Sequence, residues 1–373
     1  MKKKLNYFMK KINIIRKKTD NSNDRKEINN KIKINLLIKV SILLFIQILI
    51  LIILNFTLYK DNYKANKQLS KLNLSIYNQI NNINIIELDY ENYNFAIIRD
   101  YCYICGLISF YIHYLGCINT YISKGYIPII DLSFPNIMNG FNSSLNLGNP
   151  WEFFFNQPFG YSLANIIKKA KNIKYFKCII PYTINEIHNI YNNKFTLEFY
   201  HSLSNRYLSI KNDIIKEANI IKKKLFKKSN NILGVLARGT DYIAKRPKFH
   251  PIPPKTNMIF KDIEIFDKTY NYNFIFLTTE DDIIRTEFIN KFGSKLKIYN
   301  VYKNIRYDYK NPELLCRNKI INGNIKYMKV YLINIIILSK CTDIISARTG
   351  GAIGTFIFTD GFRNIKVYNL GYY

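Results

Sequence analysis

From Phe95 onward, short apolar runs alternate with longer stretches in which apolar residues recur every three or four positions. Runs of strand length fall at 95–99, 126–130, 175–180, 232–237, 274–278, 296–299, 343–346 and 366–370. Helical spacing predicts helices over 107–123, 161–170, 210–227, 257–269, 281–292, 324–340 and 351–359. This strand–helix rhythm predicts an α/β fold whose parallel sheets are covered by helices, and roughly 280 residues suffice for two such units. The division expected is 93–228 and 229–373, with the lysine-rich helix 210–227 at the boundary. Prolines at 128, 135, 150 and 158 punctuate a loop-rich stretch in the first unit, and prolines at 247, 251, 253 and 254 another in the second.

Upstream the pattern changes. Val40 to Tyr59 is 20 residues without a charge, enough at the helical rise to cross a hydrocarbon layer of about 30 Å. A cleaved leader has a shorter apolar stretch and no long basic preamble, so an uncleaved membrane anchor is expected. Residues 1–39 form a tail with 13 Lys/Arg and 3 Asp/Glu, while Lys60, Lys64, Lys67 and Lys71 are the nearest bases after the span. The basic side stays cytosolic, which places everything beyond Tyr59 in a lumen or outside the cytoplasm. Residues 60–92, rich in Asn and Lys, read as a stalk.

Apolar content of 48% with only 10 Pro and 15 Gly excludes collagen-like and wholly disordered chains. The net charge of +29 invites nucleic acid or an anionic surface as partner. Only 11 of the 55 bases are Arg, and +10 of the charge sits in the tail. No recognised nucleic-acid module accompanies it, so no nucleic-acid partner is expected. The cysteines at 102, 105, 117, 178, 316 and 341 show no paired Cys-x-x-Cys repeat, so neither a zinc ribbon nor a disulfide scaffold is indicated and small buried hydrophobes are expected.

Three strand ends carry the candidate chemistry. The first is Arg238-Gly239-Thr240-Asp241, directly after an apolar strand. Ligands bind at such ends in open α/β sheets, and a guanidinium there grips a diphosphate in a fork while the glycine admits backbone N–H groups. A surface turn with an internal Arg–Asp pair is the plainer alternative. The second is Thr278-Thr279-Glu280-Asp281-Asp282, whose acids either touch a nucleotide, cap the following helix, or hold a divalent cation. The third is Arg348-Thr349-Gly350-Gly351, a glycine-rich turn into a helix N-terminus, the geometry of an anion site. It lacks the P-loop lysine and the dinucleotide Gly-x-Gly-x-x-Gly spacing, so neither an NTPase nor a nicotinamide enzyme follows.

On these residues the sequence resembles the GDP-fucosyltransferase superfamily, which comprises the α-1,6-, nodulation and protein O-fucosyltransferases and their uncharacterised bacterial relatives. Arg238 to Asp241 is similar to their Arg-(Arg/Gly)-x-Asp strand end. Phe249-His250-Pro251-Ile252 resembles the Phe-His-Pro-Ile of the α-1,6 branch at the same spacing. Thr278 to Asp282 resembles a Thr-Asp-Asp strand end, and Ser339 to Gly351 a Ser-x-x-Asp, strand and Ser-Ser turn. Cys105 to Asp131 is similar to the opening βαβ unit, and Asn149 to Phe155 to a segment of the bacterial relatives. The resemblance spans residues 94–373, sharply in the second half and loosely in the first.

It implies a GT-B-like fold of two Rossmann-type domains behind one membrane helix. It also implies inverting transfer of a sugar from a GDP-sugar, GDP-fucose in the family, to a glycan or polysaccharide hydroxyl, with no bound metal or other cofactor. Donor contacts carried over are Arg238, Arg348 and the Gly350 and Gly351 amides for the diphosphate, Thr279, Asp281 and Asn334 for the nucleoside, and Gly239, His250 and Thr349 for the donor without a part assigned. Arg238 and Asp241 are the catalytic candidates, and Asp131 and Glu152 compete with Asp241 for the base. Two departures stand out. The α-1,6 branch has a carboxylate in the loop that here reads Tyr242 to Phe249 without an acid, and its Ser-Ser turn is Gly350-Gly351. A fold retained without turnover, as a glycan-binding protein, is therefore the competing expectation, and an anionic-surface binder using the basic tail is a third. His113, His188 and His201 have no partner at metal spacing and read as structural. Trp151 with Phe153–Phe155 reads as core before sugar platform.

Overall fold

Asn94–Arg99 (β1) pairs in parallel with Ile127–Asp131 (β2) on one side and Asn172–Lys177 (β3) on the other, a three-stranded sheet in the order β2-β1-β3. Pro128 is tolerated because β2 is an edge strand. The structure is a computed structural model that describes residues 89–100, 106–133, 148–178, 190–227, 229–299 and 325–373. The expected basic tail, membrane helix 40–59 and stalk fall in the unit Met1–Glu87 or at its edge, outside the described residues apart from 89–92. Among the described residues no helix is long and apolar enough to cross a membrane.

Sheet faces follow the alternation of side chains. Phe95, Ile97 and Ile129 pack on one face against Tyr161 and on Leu163 and Ile166 of α2 (Leu163–Lys169). Ala96, Ile98 and Ile130 turn to the other face, against α1 (Leu107–Ile122). Trp151 is wholly buried between Tyr111, Tyr114 and Phe155, which makes the aromatic cluster core. Behind α1 lies α3 (Lys194–Tyr207), which the sequence pattern missed. Its inward positions are Tyr200, Leu203, Ser204 and Tyr207 at helical spacing, but three of the four carry a hydroxyl and blur the apolar stripe. Asn193 caps it, accepting from Thr196 N at 3.0 Å, and the Tyr111 hydroxyl pairs with Ser204 Oγ at 2.6 Å. Asn212–Phe226 (α4) leads to the second sheet.

That sheet has the order β6-β5-β4-β7-β8, all parallel. Its strands are Ile232–Leu236 (β4), Phe274–Thr278 (β5), Leu296–Ile298 (β6), Asp343–Ala347 (β7) and Ile365–Tyr368 (β8). The helices are α5 (Asp241–Lys245), α6 (Thr256–Tyr270), α7 (Asp282–Phe292), α8 (Ile325–Ser339) and α9 (Gly350–Phe358). Every residue of β4 is buried, as a central strand covered on both faces must be. Leu233 and Val235 face Ile259 and Ile263 of α6 and Ile284 and Phe288 of α7. Ile232 and Leu236 face α8 and α9 in the same apolar cluster that holds α1 and β1. One core therefore runs from the first sheet to the second.

Helices α1 and α9 open at the C-terminal ends of β1 and β7, and these openings touch. A Cβ at Gly354 would lie 2.6 Å from Ile108 Cγ2, and one at Gly350 would lie 3.2 Å from Ser109 Oγ. His201 reinforces the junction, with Nδ1 at 2.7 Å from Ile357 O and Nε2 accepting from Asn205 at 2.8 Å. The two sheets thus meet through the first turns of α1 and α9.

Cysteine usage differs from expectation. Cys117 on α1 and Cys178 after β3 form a disulfide across 61 residues, while Cys341 is a buried thiol. Spacing does not report which cysteines meet, and α1 brings this pair together only by packing on the sheet. At the N-terminal end of β7, Asp343 is a buried anchor, accepting from Asn364 N at 2.7 Å and from Arg363 and Tyr272. Burial alone would raise its pKa, but these hydrogen bonds hold it below the usual carboxylate range.

Closing a loop of that length is worth about 4 kcal/mol on the chain-entropy model, so Cys178→Ser is expected to lower the urea midpoint markedly, with reduction of the wild type doing the same; an unchanged midpoint would contradict the pairing. Asp343 contributes stability that is present above the unfolded carboxylate pKa and fades as pH falls through its lowered folded value. Asp343→Asn is accordingly expected to be less stable at neutral pH and to flatten the acid limb of stability against pH.

Candidate functional site

In the order β6-β5-β4-β7-β8, the chain leaves β4 toward β5 on one side and leaves β7 toward β8 on the other. Between β4 and β7 lies the switch point, where the loops diverge and leave a crevice. Arg238 follows β4, Arg348 follows β7, and Glu280 and Asp281 follow β5. The three strand ends singled out in the sequence are neighbours at this one place.

Arg238 is four-fifths buried between two carboxylates. Its Nη2 donates to Asp241 Oδ1 at 2.9 Å and Oδ2 at 3.2 Å, and Nε lies 3.2 Å from Glu280 Oε1. Burial opposes its charge, but Asp241 and Glu280 outweigh burial and hold the guanidinium well above its ordinary pKa. Burial likewise pushes Glu280 up, with Arg238 acting against the rise. The Arg238 guanidinium also lies 4.7 Å over the Tyr242 ring. Asp241 is buried and accepts from Arg238, from Thr240 Oγ1 at 3.1 Å and from Tyr242 N at 3.1 Å. These bonds make it the residue that orients Arg238.

Asp281, expected at the nucleoside, has backbone partners after both β4 and β5. Oδ1 accepts from Ile283 N and Ile284 N at 2.8 and 3.1 Å, capping α7, and Oδ2 accepts from Thr240 N at 2.7 Å. Thr279 Oγ1 accepts from Asp281 N at 3.1 Å, closing the same turn. Gly239 permits this contact, because a Cβ there would overlap the Asp281 carboxylate. Thr240 is held at φ +45°, a strained conformation for a β-branched residue. Asp282 pairs with Arg285.

On the β7 side, Thr349 caps α9, accepting from Ala352 N at 3.3 Å, so that Gly350 and Gly351 form its first turn. First-turn N–H groups and the helix dipole favour an anion there. Arg348 is buried with its guanidinium 5.2 Å over Tyr372. Tyr372 is held by the chain end, where Tyr373 N donates to His250 O at 3.1 Å and Ile252 N to Gly371 O at 3.0 Å. The same pairing sets His250 edge-on to Tyr242 at 5.2 Å, and its Nδ1 lies 3.1 Å from Lys248 O. Arg238, His250 and Arg348 are thereby linked through Tyr242 and Tyr372.

Asn334 is fully buried on α8. Its Nδ2 donates to Val330 O at 2.9 Å, and Oδ1 has no partner among the described residues. Thr278 Oγ1 and Ser346 Oγ are likewise buried without partners there, and both flank Leu236 in the strand register. The first-sheet carboxylates are engaged elsewhere. Asp131 pairs with Arg99 at 2.8 Å, and Glu152 Oε1 accepts from Leu163 N and Gln157 Nε2 at 2.9 and 3.0 Å. Sequence reasoning missed Glu280 as the second partner of Arg238, because an acid at a helix start reads first as a cap. It also missed Tyr242, Tyr331 and Tyr372, which do not stand out among 30 tyrosines.

No family profile and no curated protein matches the chain. Among solved structures, it is similar to the NodZ α-1,6-fucosyltransferase soaked with GDP-fucose, at 11% identity and a TM-score of 0.41, covering 71% of this chain and 93% of that one. It is similar to POFUT1 in complex with GDP at 9% identity and a TM-score of 0.40, covering 74% and 99% of the two chains. For a point mutant of Arabidopsis thaliana FUT1 in complex with GDP the values are 10% identity, 0.37, and 78% and 74%.

Gly239→Ala is expected to cost about 1–3 kcal/mol, because the added methyl displaces a carboxylate that three backbone N–H groups use. Urea unfolding checks it; stability equal to wild type would show that Asp281 is not seated against the glycine.

Proposed function

We propose that the chain is a glycosyltransferase of fucosyltransferase type, GT-B-like, which transfers a sugar from a GDP-sugar to a glycan or polysaccharide hydroxyl with inversion. The observation that carries this reading is the convergence of Arg238, Arg348 and the start of α9 on the switch point of one parallel sheet. Two guanidiniums and a helix N-terminus are what a diphosphate leaving group needs. The specific choice of GDP, and of fucose, rests on the resemblance of Arg238 to Asp241, Phe249 to Ile252 and Ser339 to Gly351.

In the proposed step the acceptor oxygen forms a bond to the anomeric carbon from the face opposite the diphosphate. The carbon–oxygen bond to phosphate breaks with its electron pair staying on the leaving group, and the hydroxyl proton passes to a carboxylate base, for which Asp241, Asp131 and Glu152 are the candidates. Arg238 and Arg348 offset the charge that grows on the leaving oxygen, while Asp241 and Glu280 keep Arg238 charged and in place. The acceptor side is the first sheet, whose helix α1 opens against the first turn of α9.

The membrane anchor at 40–59 and an extracytoplasmic catalytic part belong to the same proposal. The Cys117–Cys178 disulfide supports the second, since such bonds persist in oxidising compartments. A second reading, a donor- or glycan-binding protein without turnover, is favoured by one observation: Asp241, Asp131 and Glu152, the three carboxylates considered as base, all serve structural partners.

Calorimetry of the full-length protein with GDP, UDP and ADP is expected to show preference for GDP, weakened at least about tenfold in Arg348→Ala and in Arg238→Lys, which keeps charge but loses the fork. A folded protein that binds none of the three would overturn the donor site. GDP binding without transfer or hydrolysis of GDP-fucose would select the second reading.

A further inference from the structure

The phenol of Tyr331 has a position that no motif foretells. Tyr331 lies on α8, whose N-terminal half runs beneath the C-terminal end of the second sheet. Its Oη stands 2.8 Å from where a Cβ at Gly351 would be, so the hydroxyl rests against the first turn of α9. Leu236 Cδ2 and Ile335 Cδ1, each at 3.3 Å, close the same spot from the sheet and from the next turn of α8. A side chain at 351 would have to displace the Tyr331 hydroxyl.

Two further observations point to a ligand. The Tyr331 hydroxyl meets the first turn of α9 at Gly351 beside Leu236, two residues before Arg238, and the charges of Arg238 and Glu280 act on it. Around it, Thr278 Oγ1, Ser346 Oγ and Asn334 Oδ1 are each more than nine-tenths buried and have no partner among the described residues. Thr278 and Ser346 flank Leu236, and Asn334 is one helical turn from Tyr331. Buried polar atoms without partners are costly, which marks this wedge as built to receive polar atoms from outside the protein.

We propose that Tyr331 is a ligand of the diphosphate, donating its hydroxyl proton to a phosphate oxygen held by Arg238 and the start of α9. The inference rests on the donor site described above and adds a residue to it. Burial pushes the phenol up to about 12, with Arg238 opposing and Glu280 adding, so it keeps its proton at neutral pH and acts as a donor. An Arg, a phenol and two glycine amides then surround the anion from three elements, β4, α8 and α9. The phenol also supplies a hydroxyl at a turn that has none of its own in Gly350-Gly351.

The test is GDP calorimetry on the full-length protein and three variants, each checked by thermal unfolding. Tyr331→Phe removes one oxygen and is expected to weaken GDP about tenfold to a hundredfold. Gly351→Ala keeps the phenol but drives it from the turn, and a comparable loss is expected. In Tyr331→Phe combined with Gly351→Ser, the serine fills the vacated space and returns a hydroxyl, so binding is expected to recover above that of Tyr331→Phe. Wild-type binding with Tyr331→Phe or Gly351→Ala equally tight would overturn the role of Tyr331 and leave the donor site standing. No GDP binding by folded wild type would instead overturn the donor site itself, and this inference with it.

Discussion

The carboxylate of Asp281 holds the site together. It caps α7 through Ile283 and Ile284 and, from its other oxygen, fixes Thr240 N at 2.7 Å. That second bond pins the loop leaving β4 to the loop leaving β5. With the loop pinned, Arg238 can be buried between Asp241 and Glu280 while Thr240 is kept in a strained backbone conformation that few residues adopt unaided. Gly239 is the complement of this arrangement, since any side chain there would take the place of the Asp281 oxygen.

Charge balance follows from the same geometry. A lone buried guanidinium would be expensive, and a guanidinium with one carboxylate would be neutralised. Here two acids face Arg238, with Arg348 across the switch point and the α9 dipole adjoining. The crevice therefore carries fixed, opposed charges held in place by the fold itself.

Much of this was legible in the sequence. The observed strands β4 and β5 match the expected ones within a residue, because a parallel sheet covered on both faces writes its strands as unbroken apolar runs. The three strand ends were also readable, since Arg238, Asp281 and Gly350 interrupt such runs abruptly. What stayed hidden was which atom does what. Asp281 as cap and Asp281 as ligand leave the same mark in a sequence, and its bonds from the backbone N–H groups of Thr240, Ile283 and Ile284 show only in the fold. Helix α3 escaped because Tyr200, Ser204 and Tyr207 bury hydroxyl-bearing side chains, and the Ser204 hydroxyl pairs inside the core. The Cys117–Cys178 bond and the place of Tyr331 depend on helix packing across the chain, which local patterns do not record.

The unbroken apolar cluster that joins the two sheets through α1, α9 and α8 has a mechanical consequence. Two lobes that share a core cannot swing apart as rigid bodies without exposing Ile108, Tyr111, Ile353 and Phe356 to water, a penalty of several kcal/mol at about 25 cal/mol per Å² of apolar surface. The segments 249–252 and 371–373, by contrast, clasp each other through only a few backbone hydrogen bonds. Such a clasp opens at far lower cost than the shared core, so local opening there comes before any parting of the two sheets.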